Sequence, residues 1–239
     1  THELVKEQYN VYNRGLVPRL QEEGLHIVGH HENLNKEDAE YVDRYFADNV
    51  YPVLTPMAVD SSRPFPLIRN KSLNLGALVT KKNGDGELEF ATVQVPSVLS
   101  RIVPIPSTEE KKVILLEEII ERNIHKLFLN YDIVCTYPFR IMRNADLTIE
   151  EEEAEDLLEE IEKQLKKRQW GQAIRLEVEE GIDSRLLKIL KEDLEIEKED
   201  IYAIRGPLDL TFLMKMYGME GFDELKEHSY LPPQPVPEL

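Results

Sequence analysis

Cysteine is almost absent from this sequence: Cys135 stands alone. An internal disulfide is therefore excluded, which fits a reducing, cytoplasmic setting. Cys135 falls in an alternating apolar stretch, the setting of an inert thiol rather than of a low-pKa nucleophile. No apolar run approaches the roughly 18–20 residues that a membrane span needs, so no integral membrane segment is expected. The opening THELVKEQYN is polar and has no apolar core of a secretory leader. A phosphate loop of the form GxxxxGK followed by Ser or Thr is missing, and no Ser-His-Asp arrangement is suggested. Positive charge is scarce as well. Against 46 Asp and Glu stand 29 Lys and Arg, a formal charge of −17. A field of that sign repels nucleic acid and other free polyanions, so nucleic acid is not an expected partner. Screening over roughly 8 Å still permits a local basic pocket. Any anion site must then be a local cluster.

What is present includes one unusual stretch, Tyr51 to Leu75. Pro52, Pro56, Pro64 and Pro66 bar a regular helix or a central strand from running through it. Val53, Leu54, Met57, Val59, Phe65, Leu67 and Ile68 nevertheless want burial. A rigid, partly buried loop is expected, and such loops are often functional. Arg63, Arg69 and Lys71 make it the densest basic cluster outside the helices.

The remaining chain reads as alternating helices and strands. Glu3 to Glu23 has helical apolar spacing, divided or kinked at Pro18, with Gly24 as its terminator. Leu25 to Val28 is a short strand. His26, His30 and His31 follow closely, but adjacent loop histidines lack the i, i+4 spacing of helical metal pairs. They read as solvated, and no metal site is expected. Asn35 caps a helix that Pro52 ends. Leu73 to Lys81 and Leu88 to Val95 form a hairpin across Asn83-Gly84 and Asp85-Gly86. A short strand is expected at Arg101 to Ile105, and a helix from Leu115 to Leu129. Ile133 to Ile141 alternates as a strand, with Pro138 suggesting an edge or a bulge. Arg140 lies on its opposite face and Arg143 just beyond. Thr148 to Arg168 has a capping box, an apolar stripe, and charges that match the helix dipole. Ala173 to Glu179 reads as half-buried, with Ile174, Leu176 and Val178 inward. Asp183 caps the next helix, Ile201 to Ile204 is a strand, and Asp209 caps Leu210 to Tyr217. The tail HSYLPPQPVPEL has four prolines and reads as an extended linker. The expected class is α+β: a mixed sheet of about five or six strands with helices mainly on one face, plus an N-terminal helix.

Four phrases carry a family resemblance in order: LTPMAVDSSRPFPLIRNKSLNL, YPFRIMRNADL, EDLLEEIEKQLKKRQWGQAIRLEVE and GPLDLTFLM. Together they resemble the head, or middle, domain of polyphosphate kinases. The resemblance implies a parent enzyme that reversibly transfers the terminal phosphate of ATP to inorganic polyphosphate. It implies residues 1–24 as the end of a preceding N-terminal domain, 25–228 as the head domain, and 229–239 as a linker to a catalytic half. The phosphorylated histidine of such enzymes belongs to that half. None of the six histidines here has a lysine on each side, so no catalytic residue is expected. ATP and Mg2+ are expected cofactors of the full-length enzyme and not of this segment. Expected partners are polyphosphate and a second copy of the chain, with Leu4, Tyr9, Tyr12 and Leu16 as an apolar face for dimerisation. Arg63, Arg69, Lys71, Arg140 and Arg143 are the candidates for facing the polymer. The competing reading is a free-standing acidic protein-interaction domain that binds no phosphate.

Overall fold

The computed structural model describes residues 1–59, 65–84, 86–107, 110–144 and 171–227. Arg63, the helix expected over 148–168 and the Pro-rich tail lie outside the described residues. The chain divides into two compact units, Thr1–Asp209 and Leu210–Leu239.

The first unit opens with α1 (His2–Val11), a π-helical turn (Tyr12–Leu16) and α2 (Val17–Glu22). Pro18 removes a helical donor. The chain widens by one π turn instead of breaking, and Val11, Leu16 and Val17 all keep right-handed helical backbone. Gly24, at φ +82°, ends the segment in the left-handed region, as its C′ position requires. The apolar stripe expected to dimerise is partly internal: Tyr9 and Tyr12 are buried, and the Tyr9 hydroxyl donates to the Pro207 carbonyl at 2.8 Å. Leu4 remains 70% exposed.

After β1 (Leu25–Val28) comes α3 (Lys36–Tyr45). Asn35 caps it reciprocally: its Oδ1 accepts from the Asp38 N–H at 2.8 Å, and its Nδ2 donates to the Asp38 carboxylate at 2.9 Å. The helix runs through a π turn (Phe46–Val50) into a 3-10 turn with Pro52 at its start. Next come β2 (Met57–Val59), β3 (Leu73–Lys81), β4 (Leu88–Gln94), β5 (Ile102–Ile105) and β6 (Lys111–Leu115). The strand β6, not among the strands expected, runs straight into α4 (Leu116–Arg122), which lies within the helix expected from Leu115 to Leu129. Then follow β7 (Tyr131–Arg143), β8 (Ala173–Glu179), α5 (Ser184–Asp193) and β9 (Ile201–Ile204). Asp183 caps α5 through the Arg185 N–H at 2.8 Å. The second unit holds α6 (Phe212–Tyr217).

Two sheets result. A six-stranded sheet has the order β2-β4-β3-β7-β8-β9, and a three-stranded one the order β1-β6-β5. The larger sheet is antiparallel except for its β8–β9 pair; in the smaller one, β1 and β6 are parallel. The α+β class with a mixed sheet and an N-terminal helix is the one expected. The strand β2 does fall within the proline-rich stretch, but at the sheet edge. Pro138 sits in a central strand, not an outer one. There β7 has β3 on one side, Leu75 opposite Pro138, while pairing with β8 begins only at Phe139. The proline is tolerated because the strand is locally one-sided.

One face of the large sheet is apolar. Leu78, Phe90, Phe139, Ile141, Leu176 and Val178 pack there against Leu186 and Leu190 of α5. Gly76 is required by closeness: a Cβ would lie 3.2 Å from the Phe139 ring and 3.3 Å from Phe90. The strand β8 departs from simple alternation. Ile174 is 47% exposed and Glu177 only 6%.

Candidate functional site

Arg69 and Lys71 stand exposed on the loop entering β3. Among the described residues neither side chain has a carboxylate partner. The loop beneath them is tightly held. Lys71 takes the left-handed backbone, φ 59°, uncommon outside glycine. Its N–H donates to the Ile141 carbonyl at 2.9 Å, and its carbonyl accepts from Arg140 Nε at 3.3 Å. The N–H and hydroxyl of Ser72 both donate to the Arg69 carbonyl, at 3.2 and 2.8 Å. Arg143 completes the clasp. Its Nε donates to the Ile68 carbonyl at 3.1 Å, its Nη1 to the Gly171 carbonyl at 2.9 Å, and its N–H to Asn70 Oδ1 at 3.0 Å. Burial lowers the Arg143 pKa from its ordinary value.

The four candidate arginines and the lysine thus separate by role. Arg69 and Lys71 are presented outward. Arg140 and Arg143 grip the main chain that presents them, and Arg63 lies outside the described residues. Periodicity left the partner of Arg140 open; it is Glu177, directly across from it on β8, at 3.0 Å. Glu177 also binds Arg175, whose guanidinium lies 3.9 Å from the Tyr202 ring centroid.

Asp209, expected as a helix cap, instead has φ 60° and joins this network. Its carboxylate lies 3.9 Å from Arg140 and 4.0 Å from Arg101. Arg101 binds Glu117 of α4 through Nε and Nη2, down to 2.5 Å, and donates to the Leu208 and Asp209 carbonyls. Burial, then the charge of Glu177, raises the pKa of Tyr9 beside this network. Burial pushes Tyr12 up to about 12, with Arg101 pulling the other way.

His31 is not solvated as the spacing suggested, whereas the His30 side chain keeps 41% exposure. The His31 side chain is only 16% exposed, and Glu118 Oε2 accepts from its N–H at 2.9 Å and lies 3.2 Å from its Nδ1. His30 Nδ1 is 3.9 Å from the same oxygen. An acidic group surrounds them. Burial, then Glu118 and Glu179, push Glu121 up to about 9. Burial and Glu118 raise Glu179, while His30 and His31 act oppositely. Cys135 is half-buried, and burial raises its thiol pKa, consistent with an inert residue.

No helix among the described residues is long and apolar enough to cross a membrane. The family model for the polyphosphate kinase middle domain matches residues 37–216. Polyphosphate kinase of Halalkalibacterium halodurans is 46% identical over 238 residues, covering 98% of this chain and 34% of the relative. That of Bacillus anthracis is 46% identical over 236 residues, 97% of this chain and 33% of the relative. The chain therefore spans about a third of these relatives. The crystal structure of polyphosphate kinase from Porphyromonas gingivalis shares the fold at a TM-score of 0.77 and 19% identity, over 97% of this chain and 33% of that one. The sequence match and the shared fold agree: this chain belongs to the polyphosphate kinase family, through its middle domain.

Proposed function

We propose that the chain is a non-catalytic part of a cytoplasmic enzyme that reversibly transfers the terminal phosphate of ATP to inorganic polyphosphate. In this reading residues 1–24 close the preceding N-terminal domain, 25–228 form the head domain, and 229–239 lead to the catalytic half. The head domain pairs with a second copy and frames the polymer path. Arg69 and Lys71, with Arg63, face the polyphosphate, and Arg140 and Arg143 are positioning residues.

The carrying observation is the loop itself: two outward cations on a main chain fixed by two arginines. In a chain of charge −17 such a cluster is not explained by average composition. A preorganised guanidinium suits phosphate oxygens, which it binds bidentately. ATP and Mg2+ do not fit this segment, whose sequence offers no glycine-rich phosphate loop. They are assigned to the remainder of the parent.

The test uses the full-length enzyme. Arg69→Gln and Lys71→Gln should each shorten the product and weaken polyphosphate binding, with unchanged folding and oligomeric state. The salt dependence should flatten by about 0.7 in logarithmic slope per lost contact, the value for single-stranded polyanions. Arg143→Gln should show the same loss together with lower stability. Wild-type chain length and affinity in both Arg69 and Lys71 variants would refute the polymer-facing role.

A further inference from the structure

We propose that His30, His31 and Glu118 form a binding site for a divalent transition-metal cation of the zinc class. His30 and His31 follow β1, and Glu118 lies on α4; His31 and Glu118 are 87 residues apart. Their ligand atoms nevertheless all lie within 4.8 Å of one another. Tetrahedral zinc with bonds near 2.0–2.1 Å separates its ligands by about 3.3 Å. The 3.2 Å and 3.9 Å distances from Glu118 Oε2 to His31 Nδ1 and His30 Nδ1 already approach that. Small rotations of the imidazoles complete the set.

The donor chemistry is selective. Two imidazole nitrogens and one carboxylate oxygen suit zinc and its neighbours, whereas Mg2+ prefers oxygen throughout. Three protein ligands leave a fourth position for water or another group.

A second observation singles out His30. Its Nδ1 is buried and has no hydrogen-bond partner. A buried polar atom without a partner is unfavourable, and native structures contain few of them. A cation shared with His31 and Glu118 would satisfy it. A further carboxylate, Glu179, lies within electrostatic reach of all three residues: Glu118 raises its pKa, and His30 and His31 lower it. A bound ion would fasten the loop after β1 to α4 and stabilise the fold by closing a long loop.

The test takes the untagged, metal-free chain and titrates it with Zn2+ alone by calorimetry. Co2+ serves as a spectroscopic substitute, read by visible d–d absorption. One Zn2+ per chain is expected, with a higher melting temperature. His30→Ala should weaken binding about tenfold or more, the loss that even outer-shell changes produce. This variant removes no hydrogen bond from His30 Nδ1, so a purely structural arrangement predicts no effect on metal. Should it alter melting of the metal-free chain, Glu118→Gln is the second variant, and it must show the same loss. No saturable Zn2+ binding by the wild type, equal affinity in the variants, or Mg2+ binding as tightly as Zn2+ would overturn the proposal.

Discussion

Across β7 and β8 the two faces of the six-stranded sheet are both buried, but they are held by different physics. Beneath α5, Leu186 and Leu190 meet Phe139, Ile141, Leu176 and Val178 in a purely apolar contact. On the opposite face, Arg140 and Glu177 pair with side-chain exposures of only 10% and 8%. The same strands contribute to both, through neighbouring residues. Apolar packing loses stability roughly in proportion to the atoms removed. A buried ion pair adds little net stability over an apolar replacement, yet breaking it strands a charge. The charged patch on β7 and β8 is therefore less forgiving of single changes than the apolar contact behind it. It is also where the backbone of the basic loop is anchored.

Three experiments sharpen that contrast. Glu177→Ala should cost the most, about 3–5 kcal/mol, because it strips Arg140 and Arg175 of their shared carboxylate. Combining it with Arg140→Met should recover part of the loss; denaturant unfolding reads both. On the apolar face, Leu190→Ala should cost about 2–5 kcal/mol, with no dependence on salt. A comparable loss in the two singles that is not relieved in the double variant would erase the distinction. The third experiment is pH. The Glu121 pKa rises from 4.5 to about 9 in the folded chain, by burial and by the neighbouring carboxylates. A raised folded pKa means that the native state holds the proton more tightly. Its stabilising contribution is complete below about 4.5 and is lost as pH climbs through about 9. Unfolding free energy should then decline across that window, and Glu121→Gln should flatten the decline. Leu190→Ala should leave the slope unchanged.

Much of the scaffold was legible because its signals are local. The positions of β3, β8 and β9 and the Asn35 and Asp183 caps follow from local apolar pattern and capping chemistry, although β8 does not keep strict alternation. The β6–α4 junction was not, because Val113, Ile114, Leu115 and Leu116 run on with no break where strand becomes helix. Asp209 has the right residue type and place for a cap; its left-handed backbone and the arginines around it decide otherwise. For the basic loop, Arg69 and Lys71 stood out against an acidic chain. The grip of Arg140 and Arg143 on main-chain carbonyls leaves no trace in sequence, since any residue supplies a carbonyl. His30 and His31 were visible as a pair, but Glu118, on a distant helix, was one acid among many.

The N-terminal segment depends on the far end of its own unit. Tyr9 binds the carbonyl of Pro207, 198 residues on, and β1 lies parallel to β6. During synthesis at about 5–20 residues per second, the first helix waits roughly 10–40 s before that partner exists. Until then the Tyr9 hydroxyl lacks its Pro207 acceptor. Such non-local closure slows folding and lengthens exposure to aggregation. The Tyr9–Pro207 hydrogen bond is thus among the last contacts of the unit that synthesis allows.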